Sequence, residues 1–462
     1  MADAGTPQAS ALDQPRFWTL DRIADALGDG PRGTTELARI STDTRHVTPN
    51  CCFIALVGET FDAHDFLADA VANGARAVIV SDARRAANLG VPVYEVSDTL
   101  AAIGFLARYR RRVWGRPVVG VVGTNGKTST KELLLAALGG ALNVHATVGN
   151  YNNLVGVPLT IFAIPDAADI AVIEMGTNHP GEVEALRGIV EPDIVVVTSI
   201  AEEHLEGLGD LEGVLREEVS GCFGVPLAVV PSAQPEIAEA ARPLAMRTVT
   251  AGLDEGDVHP TSWGLDADGQ GWLEIDGTRV QVPLRGVHNL RNAMLALAVA
   301  RESGVSLDAA ARGIAAMPAP PMRVNFESHG TAAVINDAYN SNPGSARVAL
   351  ELLEHAGAGR QRVAVLGTML ELGLHADRLH DEVARRALAS RIELIVGVGA
   401  FADALQRVAP GDARVASGAD PESAWAAARS RVAPDAVILL KGSRGVRLER
   451  MVPLIAQWAV RP

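Results

Sequence analysis

Apolar, β-branched residues recur along this chain in short runs without polar alternation. They are Ala77–Val80, Val118–Val122, Ala171–Ile173, Ile194–Val197, Leu227–Val230, Val363–Leu366, Leu394–Val396 and Val437–Leu440. A run that is apolar at nearly every position predicts a strand covered on both faces, as in parallel sheets. Between these runs lie Ala/Leu/Arg/Glu-rich stretches at helical period, such as Thr128–Leu138, Asp377–Leu388 and Ser423–Arg431. The alternation predicts an α/β protein with mostly parallel sheets. Asp254–Val282 departs from it: Gly264-Leu-Asp-Ala-Asp-Gly-Gln-Gly271 and Ile275-Asp-Gly-Thr278 predict hairpin turns between antiparallel strands.

A chain of 462 residues is too long for one core. Two seams suggest boundaries: Ser97–Asp98, and Met317-Pro-Ala-Pro-Pro321, where prolines end any helix. Three domains are expected, over 1–97 (with 1–16 a loose tail), 98–319 and 320–462. The net charge of −14 argues against nucleic acid or an anionic membrane as main partner, yet leaves room for a local phosphate site. No run reaches membrane-spanning length, and Met1–Arg16 lacks a signal-peptide core. Three cysteines, two of them adjacent, make no disulfide framework. A reducing cytoplasm is expected, with Cys51, Cys52 and Cys222 as small buried side chains.

The strongest local chemistry is Gly123-Thr-Asn-Gly-Lys-Thr128, after a strand pattern and before a helical one. Glycines let backbone N–H groups turn toward phosphate oxygens, and the helix start adds partial positive charge. Lys127 would reach the outer phosphates, and the Thr128 hydroxyl suits Mg²⁺. The first glycine of the longer phosphate-loop pattern is absent, since Val121 stands there. A second glycine pattern, Gly397-Val-Gly-Ala-Phe-Ala402, resembles a dinucleotide fingerprint but reads better as a strand-to-helix turn.

Further motifs follow the loop in order. They are Gly149-Asn-Tyr-Asn-Asn-Leu-Val-Gly-Val-Pro-Leu159, Glu174-Met-Gly176, His204, Gly286-Val-His-Asn-Leu-Arg-Asn292 and Asn336-Asp-Ala-Tyr-Asn-Ser-Asn-Pro343. With them the chain resembles the Mur ligase family over about Leu20 to Val452. Leu366-Gly-Thr-Met-Leu-Glu-Leu-Gly373, Lys441-Gly-Ser-Arg444, Ser41-Thr-Asp-Thr-Arg45, Phe53-Ile-Ala-Leu-Val-Gly58 and His64-Asp65 resemble its dipeptide-adding branch.

That resemblance implies a central phosphate-loop domain with a parallel sheet, flanked by an N-terminal UDP-binding α/β domain and a C-terminal Rossmann-like domain. The implied reaction joins D-alanyl-D-alanine to a UDP-N-acetylmuramoyl-tripeptide through an acyl phosphate, in peptidoglycan precursor synthesis. ATP and Mg²⁺, two ions, are the implied cofactors, in a cytoplasmic monomer without nucleic-acid partner or integral membrane segment.

The resemblance also implies site residues. Gly123, Thr124, Asn125, Gly126, Lys127, Thr128 and Ser129 would hold the phosphates of ATP. Asn292 would contact adenine, Arg323 would reach ATP from the third domain, Asp337 would accept from ribose, and Tyr339 and Asn340 would pack nearby. Thr128 and Glu174 would hold one Mg²⁺, and His204 would help hold the second. Many members carry a carbamylated Lys fourteen residues after that His, where this chain has Glu218. Glu218 is expected either to replace the carbamate or to be a surface helical residue, with Glu217 next in line if the register slips. Glu202 and Glu203 are expected as solvated charges.

Lys127, Asn150, Glu174, His204 and Glu218 form the expected catalytic set, with Asn152 and Asn153 toward the substrate. One of the three asparagines is expected to serve only turn geometry. Ser41, Thr42, Asp43, Thr44, Arg45 and His64 would bind the UDP part, and Lys441, Ser443 and Arg444 the dipeptide. Thr368 stands where the branch commonly has Asp, which puts an amine-binding role there in doubt and leaves Glu371 to share it. Competing readings are a sister amino-acid-adding ligase, a folylpolyglutamate synthase, a nucleotide-binding regulator without ligase activity, and a nicotinamide oxidoreductase resting on Gly397–Ala402 alone.

Overall fold

The computed structural model describes residues 13–58, 60–266, 269–318, 325–357 and 359–460. Five sheets organise them. All eight apolar runs are strands within three of these sheets, and Val118–Val122, Ile170–Glu174, Leu227–Pro231, Leu394–Val398 and Val437–Lys441 are buried at every position.

The N-terminal sheet has four parallel strands in sequence order, Ile40–Ser41, Cys51–Ile54, Ala75–Val80 and Val93–Glu95. The three cysteines are buried and unpaired. The expected loose tail is docked at its end: Gln14 exchanges two hydrogen bonds, each 2.9 Å, with the backbone of Ile40. An amide side chain offers one donor and one acceptor, so it can imitate a neighbouring strand.

At the first of the two seams, Asp98 caps the helix Thr99–Trp114 by accepting from Leu100 and Ala101 N–H groups. Gly115, in the left-handed region at φ 68°, ends that helix. The central sheet then runs Thr248–Ala251, Leu227–Pro231, Ile194–Val197, Val118–Val122, Ile170–Glu174 and Val144–Ala146, all parallel. Val118–Val122 therefore lies between the strands that end at Glu174 and Val197. Chain order reverses about this strand, and ligands of open α/β sheets settle at such a crevice.

The predicted hairpins are the strands Ser262–Leu265, Gln270–Ile275 and Thr278–Arg285. Asp276 and Gly277 turn between the last two with φ of 48° and 77°, the pair of positive angles a tight two-residue hairpin needs. The C-terminal sheet has order Asn325–His329, Ala332–Asp337, Val437–Lys441, Arg362–Gly367, Leu394–Val398, Val415–Gly418, with only the first strand antiparallel. Gly397–Ala402 is the turn from Leu394–Val398 into the helix Ala400–Val408. Among the described residues no helix is long and apolar enough to cross a membrane.

Candidate active site

Val121 explains the missing first glycine. It is a fully buried residue of the strand, opposite Glu174 and Val196, so the chain turns only after Val122. Gly123 has φ 116°, and a Cβ there would lie 2.4 Å from Thr198 Oγ1. Gly126 has φ 88°, and its Cβ would lie 2.9 Å from Asn292 Oδ1. Both positions exclude a side chain by conformation and by space. The helix Lys127–Gly139 starts at once, with Ser129 in its first turn.

The loop is braced from behind. Thr124 N–H donates to Ser199 O at 2.7 Å, Thr124 Oγ1 accepts from Ala201 N–H at 3.1 Å, and the Ser199 hydroxyl donates to Asn125 O at 3.0 Å. Lys127 Nζ donates to the carbonyls of Gly123 and Thr124, inside the curve of the loop. One helical turn on, the buried Lys131 donates to Thr147 O at 2.6 Å, and Thr147 Oγ1 accepts from Glu174 N–H at 3.0 Å. Lys131 and Thr147 escaped the sequence reading. The spacing of Lys131 four residues after Lys127 was the available signal.

Glu174 ends its strand with a buried carboxylate. Its two oxygens accept from neutral donors, Thr128 Oγ1 at 3.0 Å and Asn152 Nδ2 at 2.9 Å, and no ion pair to it occurs among the described residues. A buried, uncompensated carboxylate beside a hydroxyl fits a hard divalent cation. Asn152 and Asn153 separate by role. The exposed Asn153 accepts from Val155 and Gly156 N–H groups at the start of the helix Gly156–Phe162, so it is the turn residue of the three. Asn150 lies exposed in the same turn, and its carbonyl accepts from Asn152 N–H.

Glu218 is no surface residue. It is 1% exposed, and Oε2 accepts from Gly123 N–H at 2.7 Å. Burial pushes its pKa up, against the pull of Lys127 and of the Gly123 hydrogen bond. Glu217 points elsewhere and accepts from the Gly181 and Val183 N–H groups beside the helix Glu182–Val190.

Glu203 corrects the expectation of a solvated charge. It is buried because Asn340, in the loop after the strand Ala332–Asp337, covers it, Nδ2 donating to Glu203 Oε1 at 2.6 Å. Its other oxygen has no hydrogen-bond partner among the described residues and lies 3.9 Å from His204 Nε2. Glu202 stays partly exposed, 3.9 Å from Arg347. Among the described residues no group of three or more His, Cys, Asp or Glu converges tightly enough to hold a metal unaided. The set Thr128, Glu174, His204 and Glu218 thus surrounds the loop in two parts.

Residues of the C-terminal domain close the rim. Asn125 and Asn342 exchange two amide hydrogen bonds, at 3.2 and 2.8 Å. His204 Nδ1 meets Glu371 Oε2 at 2.5 Å, and Glu206 N–H donates to Glu371 O at 3.2 Å. His204 and Glu371 both have left-handed backbones, φ 55° and 64°, and such outliers cluster where geometry serves function. The hydrogen bond to His204 holds the Glu371 carboxyl below the usual carboxylate range.

Asp337 and Lys441 are register partners that form a partly buried ion pair at 2.8 Å, and the buried Lys441 also donates to Asn340 O at 2.7 Å. They were assigned to different ligands and turn out to share one cluster. Tyr339 lies half-buried beside it. Burial pushes the nearby His288 imidazole down to about 4, with Asp337 opposing and Lys441 and Arg291 assisting. The buried Ser443 accepts from Leu370 N–H at 3.0 Å, while the exposed Arg444 pairs with Glu449 at 3.2 Å. Thr368 Oγ1 accepts from Ala400 N–H at 3.0 Å and so fastens the Gly399 turn. Asn292 Nδ2 donates to Asn289 Oδ1 at 3.2 Å beneath Gly126. Arg323 lies outside the described residues.

The N-terminal candidates gather at the C-terminal edge of the four-stranded sheet. Ser41 donates to Asp43 O at 3.2 Å, with Thr42 and Thr44 beside it, and Asp43 pairs with Arg45 at 2.7 Å. His64 is buried with both ring nitrogens engaged, Nδ1 with Asp62 at 2.6 Å and Nε2 accepting from Ser81 N–H at 2.9 Å. Its position braces two loops of that edge.

A phosphate loop at the crevice of a parallel sheet, rimmed by carboxylates and closed by a second α/β domain, defines a nucleotide-dependent enzyme of the phosphate-loop class. Three family models match in order: "Mur ligase family, catalytic domain" over residues 36–111, "Mur ligase middle domain" over 121–300, and "Mur ligase, glutamate ligase domain" over 322–444. The UDP-N-acetylmuramoyl-tripeptide–D-alanyl-D-alanine ligase of Escherichia coli strain K12 is 34% identical over 454 residues, covering 94% of this chain and 97% of that protein. The fold matches the crystal structure of MurF from Acinetobacter baumannii with a TM-score of 0.87 at 30% identity, over 97% of this chain and 100% of that one. MurF ligase from Thermotoga maritima in complex with ADP matches with a TM-score of 0.80 at 26% identity, over 91% and 97%. The chain belongs to the Mur ligase family and has its three-domain fold.

Proposed function

We propose that this protein joins D-alanyl-D-alanine to UDP-N-acetylmuramoyl-tripeptide with hydrolysis of ATP to ADP and phosphate. The observation that carries the reading is the set of bonds from Asn340, Asn342 and Glu371 onto Glu203, Asn125 and His204, around a phosphate loop. A ligase must hold nucleotide, carboxylate and amine together, and a site shared between domains supplies that proximity.

The N–H groups of Gly126, Lys127 and Thr128 and the Lys127 ammonium hold the triphosphate, since those of Gly123, Thr124 and Asn125 already donate to Glu218 and Ser199 and brace the loop instead. A carboxylate oxygen of the tripeptide attacks the γ-phosphorus, and the bond to ADP breaks. The dipeptide amine then attacks the acyl carbon, and the C–O bond breaks with loss of phosphate and of one amine proton. Mg²⁺ supplies charge neutralisation between the phosphates when bound. Thr128 and Glu174 would hold one ion, and His204 with Glu218 would face the second. Glu218 takes the place of the family's carbamylated Lys and removes the need for CO₂.

Asn292, Arg323, Asp337, Tyr339 and Asn340 would surround the nucleoside. Ser41 to Arg45 and the loop that His64 braces would take the UDP part. Lys441, Ser443 and Arg444 would face the dipeptide. The domains run 1–97, 98–319 and 320–462, and the enzyme works as a cytoplasmic monomer on its UDP-linked precursor. Phosphate release is expected only when both the UDP-tripeptide and D-alanyl-D-alanine accompany ATP, with the joined product found by mass. Release that ignores the dipeptide, or a joined product with a single amino acid instead, would refute the reading.

A further inference from the structure

A cavity of about 360 Å³ opens away from the phosphate loop, lined by Arg16, Phe17, Arg22, Arg110, Arg116 and Asp166, with Val113 and Trp114 as its apolar wall. None of these residues has a part in the site described above. Four guanidinium groups converge there in a protein of net charge −14. The cavity sits where the N-terminal segment meets the end of the helix Thr99–Trp114 and the loop before Ile170–Glu174.

Carboxylates compensate only part of this charge. Asp166 pairs with Arg110 at 2.8 Å, and Asp169 lies 3.6 Å from Arg116. Arg16 and Arg22 have no carboxylate partner among the described residues. The Phe17 ring contacts two guanidiniums, Arg22 at 4.4 Å and Arg110 at 4.6 Å from its centroid. That ring holds two like charges in place without neutralising either. Two donors of the lining residues, Arg110 Nε and the Trp114 indole N–H, are buried and have no acceptor among the described residues. Arg110 is 2% exposed and Trp114 8%. Buried donors without acceptors are uncommon and call for a partner.

We infer that this cavity binds a small phosphorylated dianion. Its two uncompensated arginines match two negative charges, and guanidinium forks suit phosphate oxygens. Its volume suits a small metabolite. Such a ligand would tie the N-terminal segment to Arg116, two residues before the strand that carries the phosphate loop.

The test uses the full chain with pyrophosphate as probe, titrated calorimetrically. A Lys127→Ala background weakens the contribution of the phosphate loop. Pyrophosphate is expected to bind this variant with a Kd below about 1 mM and to weaken as salt rises. Adding Arg16→Glu or Arg22→Ala is expected to weaken binding by roughly tenfold or more, with ADP affinity measured in the Lys127 parent unchanged. Arg16 is exposed and makes no hydrogen bond or ion pair among the described residues, so its replacement keeps the test valid if Arg22→Ala fails to fold. No binding to the Lys127→Ala variant, or equal binding after Arg16→Glu, would overturn the inference. Tighter binding of citrate than of pyrophosphate would overturn its phosphate assignment.

Discussion

The phosphate loop and the edge of the N-terminal sheet are both polar sites at the C-terminal ends of parallel strands, but they are stabilised differently. Around the loop, polar groups are buried and held by partners distant in sequence: Glu218 accepts from Gly123, Asn342 pairs with Asn125, and Glu203 takes Asn340. At the N-terminal edge, two solvent-facing ion pairs join residues two apart, Asp43 with Arg45 and Asp82 with Arg84, beside the buried brace of His64. Buried polar groups lose much when one partner goes, whereas exposed pairs lose little. The first region is a preorganised reaction centre, and the second is a re-pairable surface suited to exchange its own ion pairs for a ligand.

The largest test of that contrast is Lys127→Ala or Glu174→Ala, each expected to lower phosphate release by about a thousandfold or more. A loss under tenfold for either would remove the preorganised centre from the account. Next come Asn125→Ala and Asn342→Ala. Each removes both amide hydrogen bonds across the rim, worth about 1–2 kcal/mol, or roughly tenfold in turnover. The double variant should lose little more than either single one, since both break the same contact. Additive losses would deny that the amide pair is one closing contact.

His288 supplies a pH test. Its folded pKa lies below its unfolded value, so stability is full above the ordinary imidazole range and is lost as pH falls toward about 4. His288→Gln should flatten the decline of the urea midpoint between pH 7 and pH 5. An unchanged decline would place the acid sensitivity elsewhere. The smallest effects belong to the N-terminal edge. Arg45→Ala should leave the thermal midpoint unchanged and raise the KM for the UDP-peptide alone. A lower midpoint would make that ion pair structural.

The same contrast decides how much was legible in the sequence. The central strands were readable because burial on both faces leaves uniformly apolar runs. The strands Val144–Ala146 and Val415–Gly418 escaped because, as edges, they are largely half-exposed and leave no such run. The loop Gly123–Thr128 was readable because one contiguous segment supplies its chemistry. Glu203 was misjudged because its burial comes from Asn340, 137 residues away, which no local pattern reveals. Asn342 belongs to the motif Asn336–Pro343, yet its partner 217 residues distant gives it its role. Glu217 and Glu218 look alike in sequence. Only the packing of their helix sends one to Gly181 and the other to Gly123.

The central claim is that the loop and the domain facing it activate a carboxylate by phosphorylation. The measurement that tests it most directly uses UDP-tripeptide labelled with ¹⁸O in its terminal carboxylate, turned over with ATP and D-alanyl-D-alanine. The account predicts one ¹⁸O atom in each released phosphate, because the attacked carboxylate oxygen leaves with phosphorus. Unlabelled phosphate, with both ¹⁸O atoms retained in the unreacted carboxylate, would contradict it.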